Sequence, residues 1–406
     1  MAVDGADTAF VLISAALVLL MTPALAFFYG GLVRRKNVLS TLMYTLITIG
    51  IISMQWAFIG YTLAFGPDVG GFIGGLDWIG LKGVGFNPSS YAPTIPHEAF
   101  MVFQMMFAII TPALIIGAFV DRMKFSTFLV FTVVWATVVY DPIAHWVWGD
   151  QGWLRSLGTL DFAGGIVVHI SAGVSALAAA LVIGKRKDLG SDPMEPHDIR
   201  LMVLGAALLW FGWFGFNAGS ALSSGSLAVN AFVVTQMGGA AASLTWTITS
   251  WLRAGKPSVV GAATGGIAGL AAVTPASGFV DPMGAIAIGV GVGIVSFLAM
   301  GMKTRFGFDD SLDVWACHGI GGILGVLATG LLAQLAINSA GANGLLYGNP
   351  ALFGVQGLAV IVTSVYAFTV TFILMKVLNK VMGLRVSDDE ENVGLDISQH
   401  GERVPV

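Results

Sequence analysis

Charge is what this chain most lacks. Lys, Arg, Asp and Glu make up 10% of its 406 residues, where a soluble domain carries roughly 25%. Stretches 201–222 and 351–381 hold no charge, or only lysines near their end, over more than the ~20 residues that cross a bilayer as helix. Cysteine is nearly absent. Cys317 stands alone, which excludes an intramolecular disulfide and a thiolate metal cluster; it reads as a small buried apolar residue. Ten-residue alternation of apolar and polar side chains is missing too, so a closed barrel, the one alternative to helices for pairing backbone groups in lipid, is set aside. No basic groove offers itself to nucleic acid, and the net charge of −4 is uninformative about partners. The longest polar stretch is the tail after Leu384, so no soluble domain is expected.

What is present is 56% hydrophobic, with a mean hydropathy of +0.84. The sequence predicts an all-α polytopic membrane protein with eleven spans, at 8–33, 38–65, 97–120, 125–147, 163–184, 200–221, 228–252, 258–276, 283–302, 314–336 and 351–382. Basic residues test the count. Seventeen of the 19 Lys and Arg flank alternate loops or the tail, from Arg34, Arg35 and Lys36 through to Arg385 and Arg403; only Lys82 and Arg155 fall opposite. By the positive-inside rule the N-terminus lies outside and the tail in the cytoplasm, which requires an odd number of spans. The start, Met-Ala-Val-Asp-Gly-Ala-Asp, lacks the basic residues of a signal peptide, so the first apolar run is expected to remain a span. Residues 1–384 then form a transmembrane domain of a multi-pass cell-membrane protein, and 385–406 a cytoplasmic tail.

Fifty-four glycines are spread through the spans, with a ladder at Gly261, Gly265 and Gly269. Small residues at four-residue spacing let helix backbones approach closely, so a packed interior is expected rather than a wide aqueous pore.

Two of the six histidines lie deep in apolar stretches, each preceded at the same distance by an aspartate: Asp161 with His169, and Asp310 with His318. Gly173 and Gly322 each follow four residues later. Counting ~1.5 Å per residue, eight residues put each histidine ~12 Å beyond its aspartate, near the bilayer midplane from opposite sides. Two Asp-x7-His-x3-Gly segments are what an inverted five-span repeat produces, about 8–184 and 200–336, with the site at the repeat interface; span 351–382 is then an addition. A lone buried histidine is usually a hydrogen-bonded core residue, but a matched pair at mid-membrane marks function. Two imidazoles there could relay protons, exchange hydrogen bonds along a narrow path or bind metal. Metal is the weakest reading, because no third Cys, Asp or Glu ligand accompanies them in the apolar spans.

Longer motifs carry a resemblance. Phe27-Phe28-Tyr29-Gly30-Gly31-Leu32-Val33-Arg34, Asp161-Phe162-Ala163-Gly164-Gly165 running on to Val168-His169, Gly212-Trp213-Phe214-Gly215-Phe216-Asn217-Ala218-Gly219-Ser220, and Asp313 through His318-Gly319 resemble ammonium transporters of the Amt/Mep/Rh family, in its prokaryotic Amt branch, over nearly the whole chain. The resemblance implies an external ammonium site with Trp148 as aromatic wall, Ser220 as hydroxyl acceptor and Asp161 shaping it from behind. It implies a gate of stacked rings, Phe107 and Phe216, and a hydrophobic conduction path lined by His169 and His318. It also implies a homotrimer with one path per subunit, no cofactor, and a tail that docks a PII-type nitrogen-signalling protein. By charge alone, with Asp388, Asp389, Glu390 and Glu391, the tail would be a solvated acidic end.

The residue types suit that role. Ammonium carries four N–H donors and one charge, so a hydroxyl acceptor and aromatic faces can replace part of its hydration, at ~0.5–2 kcal/mol per cation–π contact. An intact ion in an apolar lumen would carry a large desolvation penalty, which neutral ammonia avoids. Deprotonation near the gate, with the proton passing along the imidazoles, would give electrogenic uptake. An electroneutral Rh-like ammonia channel and an ammonium receptor are the alternatives; an enzyme ranks last, since nothing pairs a nucleophile with a base outside the membrane path. Two features depart from the family's pattern: Asp141-Pro142 inside the fourth span, expected to be satisfied by a neighbouring span, and an ending at Arg403-Val404-Pro405-Val406 without an aromatic residue.

Overall fold

The computed structural model describes residues 2–191 and 193–405. Among these residues, eleven helices are long and apolar enough to cross a membrane: α1 Gly5–Leu32, α2 Arg35–Phe65, α3 His97–Ala118, α4 Phe125–Ser156, α5 Gly165–Ile183, α6 Ile199–Gly219, α7 Ser226–Ala254, α8 Val259–Ala276, α9 Pro282–Phe306, α10 Trp315–Leu332 and α11 Pro350–Val381. All eleven expected spans are present, within a few residues at most ends. The ninth and tenth differ most, ending at Phe306 and Leu332 rather than at 302 and 336; in the fourth, the membrane helix stops at Gly149 and a separate helical turn follows at Trp153–Ser156. Short helices α12 Asp388–Val393 and α13 Leu395–His400 build the tail.

Polar caps mark where the chain leaves the apolar layer. Asp4, Asp198, Ser258 and Asp281 accept backbone N–H groups at the starts of α1, α6, α8 and α9, each satisfying donors that a helix start leaves orphaned. Between caps, helices touch at backbone distance. A Cβ on Gly205 of α6 would sit 2.3 Å from the Phe28 nitrogen of α1, and one on Gly269 of α8 would sit 2.4 Å from the Ala242 Cβ of α7. The ladder is therefore a seam between α7 and α8, as van der Waals packing in lipid favours.

Among the described residues four turns are wound as π-helix: Trp56–Gly60 in α2, Ala136–Tyr140 in α4, Gly165–Ile170 at the start of α5 and Trp315–Ile320 at the start of α10. The last two carry His169 and His318. A π turn inserts one residue into the ladder and is common at functional sites; a uniform α-helical rise, the basis of the sequence estimate, does not describe these segments.

At the tail end, cations and carboxylates interlock. Arg122 is fully buried and donates to the Gly184, Val120, Ala118 and Asp309 carbonyls and to Ser311. Arg186 grips the Asp309 carboxylate at 2.8 and 2.9 Å. Onto this layer folds the tail. Asp396 accepts the Leu39 and Ser40 amides, Glu391 pairs with Arg385 and accepts the Lys187 amide, and Lys36 donates to the Glu391 and Asn392 carbonyls. Glu391 and Asp396 are buried, so this part of the acidic tail is packed rather than solvated; Asp388 and Asp389 remain exposed.

Candidate functional site

Three cavities follow one another through the helices. The first, at the end away from the tail and about 420 Å³, is lined by Gln104, Phe107, Trp148, Asp161 and Ser220 among others. The second has room for about 10 Å³, on the order of a single water molecule, and is walled by Val168, His169, Trp213, Phe216, Leu114 and His318. The third, about 780 Å³, opens at the tail end and shares His318, Phe28 and Ile267 with the second. Between the first and second stand Phe107 and Phe216, ring centroids 4.3 Å apart.

Asp161 organises the mouth. Its Oδ1 accepts the Gly164 and Gly165 amides at 2.9 and 2.7 Å, and its Oδ2 accepts those of Ile166 and Val167 at 2.7 and 3.2 Å. Four donors at the head of α5 are thereby satisfied by one carboxylate. Its backbone carbonyl accepts the Trp148 indole N–H at 2.9 Å, which sets the indole edge-to-face on Phe107, centroids 6.0 Å apart. The turn requires Gly164. Its φ is +116°, and a Cβ there would lie 2.7 Å from Val168 and 3.4 Å from Trp148. Ser220 follows the last residue of α6 and donates its hydroxyl hydrogen to the Phe216 carbonyl at 2.8 Å, leaving its lone pairs free to accept from the cavity. The mouth residues Trp148, Ser220, Phe107 and Asp161 thus meet in one cavity, with Phe216 beneath.

Below the constriction the imidazoles face each other. His169 Nδ1 and His318 Nδ1 are 3.3 Å apart, rings inclined by 24°. One shared hydrogen bond between like nitrogens requires one to donate and the other to accept, which fixes opposite tautomers. His169 stacks on Phe216 and lies 5.5 Å from Trp213 between centroids; among the described residues its Nε2 has no hydrogen-bond partner. Among the described residues no three His, Cys, Asp or Glu side chains converge in a way that could hold a metal ion. Cys317 is buried and faces the inner cavity.

The segment at 310–322 is built differently from that at 161–173. Asp310 Oδ2 accepts the Trp315 amide at 2.8 Å, while its Oδ1 has no partner among the described residues. Burial, with Asp313 nearby, pushes the Asp310 carboxyl up to about 6. Lys303 pairs with Asp313 at 2.8 Å. Asp141 lies outside all three cavities. It is buried between spans, with Gln55 of α2 donating to its Oδ2 at 2.8 Å.

Sequence reasoning missed Gln104, whose side-chain oxygen lines the mouth without a partner. It also missed Gln356, a fully buried amide in α11 bonded to Leu160. A lone amide in an apolar span was the available signal.

An eleven-helix membrane protein with an aromatic mouth, a ring constriction and paired imidazoles in a narrow lumen defines a class of small-solute transport proteins. The profile of the Ammonium Transporter Family matches residues 9–404. The chain is 52% identical over 398 residues to the ammonium transporter of Bacillus subtilis, covering 98% of each, and 50% identical over 399 residues to the ammonium transporter Amt1 of Archaeoglobus fulgidus, again 98% of each. Among solved structures it is similar to Mep2 of Candida albicans, with a TM-score of 0.91, 36% identity, and coverage of 96% of this chain and 88% of that one. It is also similar to a protein described as a sensor Amt protein, with a TM-score of 0.89 at 30% identity over 97% and 98% of the two chains. The chain belongs to the ammonium transporter family.

Proposed function

We propose that the protein takes up ammonium selectively by separating the ion into ammonia and a proton. Ammonium binds in the mouth against the Trp148 and Phe107 faces and donates to Ser220. Near the Phe107–Phe216 constriction one N–H bond breaks; its electron pair stays on nitrogen as neutral ammonia, and the proton passes to the imidazole pair. Ammonia then follows the lumen, and His169 and His318 carry the proton inward, so that each cycle moves charge. The N-terminus and the mouth face outward and the tail inward, in the plasma membrane. On the family resemblance the chain works as a homotrimer and docks a PII-type regulator through the tail; the packing of α12 and α13 on the basic ends of α1 to α5 supports a defined docking face over a free terminus.

One observation carries this reading: a cavity that suits a cation leads, past two rings, into a lumen of about 10 Å³ that would strip an ion of its water without replacing it. Desolvating an unpaired charge is far more costly than desolvating ammonia, whereas potassium, which has no proton to give up, cannot use the same device. The test is current from purified protein in liposomes after an ammonium pulse and an equal potassium pulse. Current with ammonium alone is expected, and it should vanish when His169 and His318 are both replaced by leucine. Silence with both ions beside measurable ammonia uptake would instead make the protein an electroneutral channel. The likeness to a sensor Amt protein keeps signalling as a second reading, which tight ammonium binding without flux would favour.

A further inference from the structure

Gln356 sits in α11, the span that lies outside the two Asp-x7-His-x3-Gly units, and is fully buried. Its amide is fully used. Oε1 accepts the Leu160 N–H at 2.9 Å, and Nε2 donates to the Leu160 carbonyl at 2.7 Å and to the Val326 carbonyl of α10 at 3.2 Å. Both backbone groups of one loop residue are thus held by one side chain, as a neighbouring strand would hold them. Leu160 is the residue before Asp161. The clamped peptide therefore leads into the carboxylate that gathers four amides of α5 and the carbonyl that holds Trp148. Through Val326 the same amide reaches the helix whose first turns carry His318.

We infer that Gln356 is a positioning residue for the ammonium site, fixing the Trp148 wall and the Asp161 cradle from the eleventh span. It touches no substrate. Loops at the mouth of a membrane protein leave backbone groups to be satisfied by protein or water, and a site is only as sharp as the groups that hold it. Without the amide, the Leu160 N–H and C=O would be left partly buried and unpaired, an unfavourable state that the loop escapes by shifting towards water. Such a shift moves Asp161 and the indole it holds. Plain helix–helix adhesion between α11 and α10 would need only the Val326 bond; the two bonds to Leu160 are what direct the inference to the mouth.

The inference rests on the reading of the mouth as the ammonium site, so the experiment carries both. Ammonium-driven current in liposomes is recorded against concentration for the unaltered chain, Gln356→Met, Trp148→Leu and Thr363→Val, the last a buried α11 residue away from the mouth. Gln356→Met is expected to raise the half-saturating ammonium concentration roughly tenfold, the scale of losing an outer support of a binding site, with the maximal current changed far less. Thr363→Val should change neither. An unmoved half-saturation in Gln356→Met beside a raised one in Trp148→Leu would overturn the inference alone; unmoved values in both would overturn the mouth reading and the inference with it. A fall in maximal current alone, shared with Thr363→Val, would reduce Gln356 to helix packing. Should Gln356→Met not be recovered from the membrane, Gln356→Asn, which withdraws the amide by one methylene, is expected to raise the half-saturation in the same way.

Discussion

The segments 161–173 and 310–322 share a spacing and diverge in how they are held. Asp161 gives both oxygens to four amides, so the first segment is locked. Asp310 gives one oxygen to a single amide and leaves the other without a partner among the described residues, beside the Lys303–Asp313 pair, so the second is braced at fewer points. The glycines show the same asymmetry. A Cβ on Gly173 would come within 2.1 Å of the Gly319 nitrogen, whereas one on Gly322 would stand 3.0 Å from the Gly165 carbonyl oxygen and the His169 Cβ. Each glycine faces the segment of the other histidine. The lesson is that a shared spacing brings the two imidazoles together while the local bonding differs, with four amides on one carboxylate and a single amide on the other.

The largest way to break this contrast is at the aspartates. Asp161→Ala removes the acceptor of four buried amides, each worth ~1–3 kcal/mol when left unpaired, and is expected to abolish ammonium current and to lower the melting temperature sharply. Asp310→Ala should retain measurable current. Equal losses in the two variants, read by current and thermal unfolding, would dissolve the distinction.

The glycines come next. Gly173→Ala drives a methyl group into backbone that cannot swing aside, so little folded protein is expected. Gly322→Ala asks its neighbours for a few tenths of an ångström; overpacking of that size costs ~1–3 kcal/mol and should leave an assembled protein with altered current. Unfolding temperature of the purified variants separates the two.

Protonation of Asp310 sharpens the comparison further. Its folded value, about 6, lies above the ordinary carboxyl range, so the folded state holds this proton more tightly than the unfolded chain. The sign follows: below pH ~4 both states are protonated and the contribution is absent, and stability is lost as pH rises from ~4 to about 6, remaining lower above it. A shift of this size corresponds to ~3 kcal/mol. Asp310→Asn should remove that component, so that the gap in unfolding free energy between variant and unaltered protein widens as pH rises from 4 to 7. A pH-independent gap would assign Asp310 no titration in this range.

The spans and the histidine pair were legible because both rest on properties a sequence carries openly: apolar runs long enough for a bilayer, basic residues on alternate loops, and an ionisable side chain where none is tolerated without cause. The π turns at Gly165–Ile170 and Trp315–Ile320 were not, since one inserted residue changes neither composition nor hydropathy and is imposed by tertiary packing. Nor was the packed tail. Asp388 to Glu391 read as a solvated run by charge alone, yet Glu391 and Asp396 are buried, because Arg385 and the amides of Leu39, Ser40 and Lys187 satisfy them. Gln104 and Gln356 were legible in principle, each a lone amide in an apolar span, but which cavity or loop each serves depends on which helices become neighbours.

Asp141 offers the smallest and most discriminating prediction, because it is a third membrane carboxyl that the histidine segments do not use. It flanks the π turn Ala136–Tyr140 as Gln55 flanks Trp56–Gly60, and Gln55 donates both to its Oδ2 and to Thr137. That pairing fastens α2 to α4 about seven residues, or ~10 Å, from Trp148, and contributes no lining to the mouth. Asp141→Asn keeps an acceptor for Gln55, so the half-saturating ammonium concentration should stay within about twofold of the unaltered protein, as expected when no binding interaction is removed. A several-fold rise, with maximal current preserved, would instead make Asp141 part of the field that draws the cation in, and would show that rigidity around Asp161 is not the only way this protein recognises charge.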